Sequence, residues 1–523
     1  MNRRNFLWRL SRQGLVVALC LRPTRFWAQT GKELPIDCSP PGHGAAKPIT
    51  FNSSTPILPR KSIWDLSSTE ISRLQAAYQA MRDLASKTPN DPRGWMQQAN
   101  VHCFNCSGGY EASNIEIHGS WWFLPWHRCY LHVHERILGK LIGDPSFRLA
   151  YWDWDTYPKH ATIPPAFLAP GPLWDSYRGA TAADVIPGRI VGPNAMSVML
   201  GNQTSTAFMG SASNSGALEN NPHGPVHIWT GDPNPSRKPK PVGCFYPDTA
   251  GGQSADQSRF GCLDMGVLAT AAQDPIFFAH HANIDRLWDV WSQTPGSEGN
   301  WKDSDWLKQP FNFYDENGDW IYITLADVLA EGEQNNLRYA YEPSPRATAT
   351  ATPTVTPKQN ESLTLMEKPK SLESLFVSSG PNVTRVGTKP HRQSVPLPEL
   401  QQHNLKAFAA LGPTATRHYM LHIEGLSAPA NEGTILNVFA GQPNANRKTL
   451  IGPSFVGTFS IVPPGPHHEH PTVRNAVFEL RPETAALIAK QKDLVIVLVP
   501  TLVDGEEPVE SNLTYKKIYL SYE

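Results

Sequence analysis

The sequence predicts a mainly α domain, a helical core under long loops, followed by a C-terminal antiparallel β-sandwich. Three observations carry that expectation. Up to residue 342, apolar residues recur at helical spacing between stretches rich in Pro, Gly and Ser. Residues 343–358 are dominated by Pro, Thr and Ala and read as a linker. Beyond it, short alternating runs are separated by turn residues, the pattern of antiparallel strands. At 523 residues the chain is long enough for more than one domain. Its net charge of -1 offers no field for nucleic acid or anionic membranes. No apolar run approaches the ~18 residues that would suggest a transmembrane helix.

In chain order, residues 1–28 come first. Met1-Asn-Arg3-Arg4-Asn-Phe6-Leu7, then the apolar Gly14 to Leu21, resembles a twin-arginine export signal cut near Ala28. That implies a prokaryotic source and a periplasmic or secreted protein. The helical domain is expected over 29–342. Thr69 to Ala85 reads as a helix, capped by Ser68 or Thr69, with Ile71, Leu74, Tyr78 and Met81 on one face. Arg128 to Leu141 reads as another, stopped by Gly143-Asp-Pro145. Tyr151-Trp-Asp-Trp-Asp155 is expected to pack and cap, and residues 158–215 to form surface loops. Trp320 to Thr324 and Arg338 to Tyr341 alternate like strands. In the segment 359–523 the strand-like runs are Tyr419 to Ile423, Thr434 to Phe439, Gly457 to Val462, Val473 to Leu480, Leu494 to Val499 and Lys517 to Tyr522.

Two histidine sets stand out in this frame. The downstream one contains His223-Gly-Pro-Val-His227 and Ala279-His280-His281-Ala-Asn283-Ile-Asp285. Residues four apart on a helix share a face, which groups His223 with His227, and His281 with Asp285. The upstream set is His102, His118 and His127. His118 and His127, nine residues apart, would lie on opposite faces of one unbroken helix, so Pro125 is expected to mark a break near His127. Three imidazoles in each set, with no ligating carboxylate in the pattern, suit copper or zinc. Carboxylates and amides nearby, such as Asp285 and Asn283, would orient the ligands. His132 and His134 read as structural. His467-His-Glu-His470 is either a stray metal binder or a solvated loop.

These motifs, with His102-Cys103-Phe-Asn-Cys106, Glu219 to Trp229, Asp274 to Trp288, and Asp305-Trp-Leu307 followed by Phe311 to Glu316, resemble the type-3 copper polyphenol oxidases, the tyrosinase and catechol oxidase family, in its plant-type form. The resemblance implies two copper ions, one on His102, His118 and His127, the other on His223, His227 and His281, with His280 a neighbour. It implies O2 and small phenols as partners, oxidation of o-diphenols to o-quinones, and slower ortho-hydroxylation of monophenols. Strict catechol oxidation, o-aminophenol oxidation and non-enzymatic oxygen carriage are the competing outcomes. It also implies a Cys38–Cys103 disulfide, a thioether from Cys106 to His118, and a C-terminal domain that shields the site. A free thiol or a zinc knuckle remain alternatives for Cys106. Cys244 and Cys262, which bracket a Gly-rich loop, are a further candidate pair. In the family a glutamate at the position of Glu219 orients a water that assists phenol deprotonation. A gating phenylalanine of plant catechol oxidases falls at Leu268, and an asparagine of some tyrosinases falls at Gly224.

Overall fold

A computed structural model describes residues 38, 44–51, 56–106, 115–236, 264–329, 336–342, 376–411, 418–428, 433–463, 472–508 and 511–522. The N-terminal signal-like segment, the 343–358 linker, Cys244, Cys262 and the His467–His470 tract lie outside the described residues.

Five helices build the first part: α1 (Ser68–Lys87), α2 (Trp95–Cys106), α3 (Phe123–Leu141), α4 (Gly224–Gly231) and α5 (Ile276–Ser292). The first is capped by Ser67, one residue before the earlier of the two expected caps. Ser67 accepts from the Glu70 N–H at 3.3 Å while the Glu70 carboxylate accepts from the Ser67 N–H at 2.8 Å, a reciprocal capping box. Leu74, Ala77, Tyr78 and Met81 then turn one face of α1 into the core. The break expected at Pro125 sits elsewhere. The third helix already starts at Phe123, so Pro125 falls in its first turn, where a missing N–H costs nothing. His118 lies before the helix and His127 within it, so the two side chains converge from different elements.

Almost all of α3 and α5 is buried, and the two pack against each other. A buried charge cluster ties them together. Asp285 of α5 accepts from Arg128 Nε of α3 at 2.6 Å, from Arg60 Nη1 at 3.5 Å, and from the Tyr339 and Tyr341 hydroxyls at 2.6 and 2.5 Å. Arg60 also donates to Glu135 of α3 at 2.9 Å. Burial raises the pKa of Asp285, but Arg128, Arg60 and the two tyrosines outweigh it and hold the carboxyl below its ordinary range. Strands β1 (Lys47–Pro48), β5 (Pro310–Tyr314) and β6 (Trp320–Thr324) form a small sheet in the order β1-β6-β5, and through the charge cluster two parallel-paired strands, β2 (Leu58–Arg60) and β7 (Tyr339–Tyr341), clamp the helices from outside.

The C-terminal part forms two sheets. In one, strands β8 (Phe376–Arg385), β10 (Tyr419–Ala428), β13 (Thr472–Glu479) and β15 (Thr514–Tyr522) run antiparallel in the order β13-β10-β15-β8. In the other, β9 (His391–Pro396), β11 (Thr434–Ala440), β12 (Phe455–Ile461) and β14 (Asp493–Thr501) run antiparallel in the order β12-β11-β14-β9. Leu421, Ile423 and Ile518 from the first share one apolar cluster with Leu436, Phe459 and Ile496 from the second. All six expected strands are present. Strands β8 and β9 and the helix Glu399–Leu411 were not expected. The first sheet also continues into the helical part, because β13 pairs in parallel with β4 (Asn214–Ser215), which pairs with β3 (Gly210–Ser211).

Asp285→Ala should remove the carboxylate that the buried Arg128 and Arg60 share and cost about 3–5 kcal/mol. Urea denaturation of the metal-free protein measures it. A loss under about 1 kcal/mol would show that the cluster does not hold the helices.

Candidate metal centre

Six imidazoles meet where α2, α3, α4 and α5 converge. His102 comes from α2, His118 from the turn before α3, and His127 from α3. Their ring centroids form a near-equilateral triangle of 5.3, 5.6 and 5.4 Å sides. His223, immediately before α4, His227 in α4 and His281 in α5 form a second triangle of 4.5, 5.0 and 5.4 Å. The triangles face each other: His127 stacks on His281 at 4.1 Å and His118 lies parallel to His223 at 6.0 Å. Phe123 and Phe277 pack against the imidazoles, with Phe123 4.4 Å from His223 and Phe277 4.2 Å from His281.

Three of the six imidazoles are held by the backbone. His127 Nδ1–H donates to Phe123 O at 2.8 Å, and His227 Nδ1–H to Met265 O at 2.8 Å. His102 is hydrogen-bonded to the Leu268 backbone. Each bond fixes a tautomer and leaves the opposite nitrogen with a lone pair. The Nε2 atoms of His102, His118, His127 and His223 are buried with no hydrogen-bond partner among the described residues. His227 Nε2 and His281 Nε2 approach to 3.2 Å. Burial lowers every one of these six pKa values, those of His118 and His227 to about 3. Neutral, buried and convergent imidazoles suit a metal such as copper.

The remaining expected site residues divide. Glu219 is buried at the mouth. Its Oε1 accepts from the Gly119 N–H at 2.6 Å, its Oε2 has no partner, and burial raises its pKa to about 8. Leu268 and Gly224 line the same crevice with His118 and His223. His280 accepts at Nδ1 from Trp154 Nε1 at 3.1 Å, and its ring lies 4.9 Å from His227. Cys106 Sγ lies 3.7 Å from His102 Nδ1 and within 4.8 Å of a His118 ring nitrogen. Cys38 and Cys103 are disulfide-bonded.

Asn283 and Asp285 do not orient the imidazoles. Asn283 donates to Asp155 at 3.1 Å and accepts from Arg286 at 2.7 Å, whereas Asp285 serves the helix-tying cluster. One helical turn beyond His281 carries a side chain away from the metal ligands and toward α3. The carbonyls that replace them had no signal in the sequence, because every residue has one. Trp154 in the Tyr151–Asp155 segment was expected to pack; it also orients His280.

Residues 92–195 and 181–294 match the common central domain of tyrosinase, and residues 300–354 match the polyphenol oxidase middle domain. The chain thus carries tyrosinase-family, type-3 copper polyphenol oxidase domains of the plant type. A chloroplastic latent polyphenol oxidase of Prunus armeniaca is 29% identical over 500 residues, 89% of this chain and 76% of that protein. Chloroplastic polyphenol oxidase C of Solanum lycopersicum is 34% identical over 60% of this chain and 50% of its own. Catechol oxidase B of Solanum tuberosum, also chloroplastic, is 35% identical over 53% and 47%. The chain thus spans about half the length of the latter two. These polyphenol and catechol oxidases are copper oxidoreductases. In fold, the chain is similar to a latent aurone synthase, with a TM-score of 0.70 at 24% identity over 94% of this chain and 95% of that one. Latent apple tyrosinase gives 0.67 at 24% over 91% and 100%.

These relatives overturn the expected twin-arginine export to a periplasmic or secreted location, because they are chloroplastic plant enzymes. A short basic stretch before a modest apolar one is too common a pattern to specify an export route. No helix among the described residues is long and apolar enough to cross a membrane.

The lowered imidazole pKa values carry a consequence for stability. In the unfolded chain each imidazole titrates near its ordinary 6.5, while in the metal-free fold it stays neutral well below that. Below about pH 6.5 the unfolded chain therefore binds protons that the fold does not, and stability falls as pH falls. Each imidazole contributes up to about 1.4 kcal/mol per pH unit. Urea denaturation of metal-free protein should show a loss of several kcal/mol between pH 7 and 5. A flat profile would contradict neutral, buried imidazoles.

Proposed function

We propose that the chain is a polyphenol oxidase, with one copper on His102, His118 and His127 and a second on His223, His227 and His281. The observation that carries this reading is the pair of facing imidazole triangles, four of whose six buried Nε2 atoms lack a partner among the described residues. A bound copper pair supplies dioxygen activation and the two-electron oxidation of an o-diphenol to an o-quinone. The chain's own groups bind, orient and deprotonate. Phe123 and Phe277 keep the site dry and fix the imidazole planes. The Gly119 N–H pins one oxygen of Glu219 and leaves the other to accept the phenol proton when the carboxyl, its pKa raised by burial to about 8, is ionised. Leu268, flexible and non-planar, obstructs an entering ring less than phenylalanine would. Gly224 supplies no amide to assist Glu219. Access then favours monophenol entry and the missing amide slows its deprotonation, so diphenol oxidation outruns monophenol hydroxylation. Cys106 is read as thioether-linked to His118, which would restrain that imidazole.

The C-terminal segment 359–523, read as a sandwich of its two sheets, is the shield. Strand β12 and the residues after it cover the mouth. Ser460 donates to Asn220 O at 2.7 Å, and the Leu268 N–H donates to Pro463 O at 2.8 Å. A Cβ on Gly224 would lie 2.1 Å from Ser460 Oγ, so glycine is what lets the two parts close. The space left, lined by His118, Glu219, His223, Ser460 and Val462, is about 30 Å³, room for a water and not for a phenol.

Oxygen uptake by copper-loaded protein tests the activity. With catechol it should be slow in the full chain and rise several-fold once the chain is cut within 343–358 and the C-terminal piece removed, with a slower response to a monophenol. Equal rates before and after would sink the shield, and no uptake in either state would sink the oxidase reading.

The ligand assignment separates adjacent histidines. His281→Ala should halve the copper content, whereas His280→Ala should keep two ions per chain, as counted by atomic absorption. Two ions retained after loss of His281 would refute the assignment.

A further inference from the structure

Resting on that reading of the site, we infer that Glu116 is a specificity-determining residue that selects phenols carrying a cationic side chain, and that Arg474 occupies its subsite in the shielded state. The mouth of the crevice is closed from two sides. Ser460, Ile461 and Val462 cover its centre, and Arg474 of β13 reaches in from the flank beside His118 and Glu219. Arg474 is no loose surface arginine. Its Cδ and Nε lie 2.4 Å from where a Cβ on Gly119 would stand, and Gly119 has a φ of +73°. A side chain at 119 would therefore both strain the backbone and expel the arginine. The methylenes of Arg474 lie over the turn that carries His118, and its Nη2 is 3.8 Å from Glu116 Oε2.

Glu116 is itself fixed in place. Its Oε1 accepts from the His118 N–H at 2.9 Å and lies 3.7 Å from His118 Nδ1. One carboxylate oxygen is thereby spent on the backbone, and the other meets the guanidinium of Arg474, which itself lines the crevice. Its side chain keeps 21% exposure even with Arg474 against it. The shield thus presents an apolar arm ending in a cation, and the site answers with a dry cleft ending in a carboxylate. A phenol with a short aminoalkyl arm has the same two parts in the same order. With the arginine gone the crevice lining holds no cation, so an anionic arm, such as a propionate, finds no charge partner and is repelled by Glu116.

The test uses the chain cut within 343–358, whose mouth can open, and removes the arginine arm as well. Arg474→Ala is compared with Arg474→Ala carrying Glu116→Gln, since glutamine retains the oxygen that accepts the His118 N–H. Calorimetry under nitrogen on copper-loaded protein measures binding of tyramine, 4-ethylphenol and 3-(4-hydroxyphenyl)propionate. Arg474→Ala should bind tyramine about tenfold more tightly than the propionate, with the neutral phenol between them, and Glu116→Gln should collapse that ratio to about twofold. A ratio near one in Arg474→Ala, a preference that survives Glu116→Gln, or binding of none of the three overturns the proposal. Oxygen uptake with 4-methylcatechol, run in parallel, separates this from the oxidase reading: turnover without charge preference rejects the subsite alone, and charge preference without turnover rejects the oxidase alone.

Discussion

Everything in the helical part serves one constraint: six imidazoles must stay buried and unprotonated, with their lone pairs turned toward one another. Uncompensated polar nitrogens in a low-dielectric interior are unfavourable, and four of these Nε2 atoms have no partner among the described residues. The fold offsets that locally. It stacks aromatic rings against the imidazoles, gives backbone carbonyls to the nitrogens that face outward, and ties α3 to α5 through the Asp285 cluster. The tie lies one helical turn from His281 and one residue from His127, so the strongest electrostatic contact between the two helices is next to the imidazoles they must align.

Such a site is strained toward a metal and away from protons. Each desolvated imidazole resists protonation, and each orphan nitrogen gains a partner only when a cation enters. Structural and functional demands therefore coincide at the same atoms, and the ion contributes to folding as well as to chemistry.

Much of this was legible in the sequence, for identifiable reasons. Helices α1, α3 and α5 announce themselves by spacing, and the strands of 419–522 by alternation. The imidazole sets are legible because histidine is uncommon and its recurrence is conspicuous. What was not legible depends on the backbone or on distant pairings. The carbonyls of Phe123 and Met265 have no side-chain signature. Asp285 shares a face with His281, yet its partners Arg60, Tyr339 and Tyr341 come from remote segments and draw it away. Strand β9, His391–Pro396, contains Arg, Gln and Ser, and as the edge of its sheet it needs little apolar surface. Ser460 and Arg474 sit in ordinary strand sequence, and only the approach of β12 and β13 gives them a role.

The parallel pairing of β13 with β4 makes one sheet out of two distant stretches of chain. It is reinforced on both sides: Ala207 packs with Met420 and Val477, and Glu479 accepts from the Gln203 and Thr204 N–H groups at 2.7 and 3.1 Å. Breaking the peptide chain between the two parts leaves all of these bonds in place. A nicked molecule is then a heterodimer held by its own former continuity, and whether its mouth is open becomes a matter of mass action. Opening follows dilution or a competitor for the sheet edge, and a concentrated, undisturbed compartment keeps the severed pieces together and the site closed.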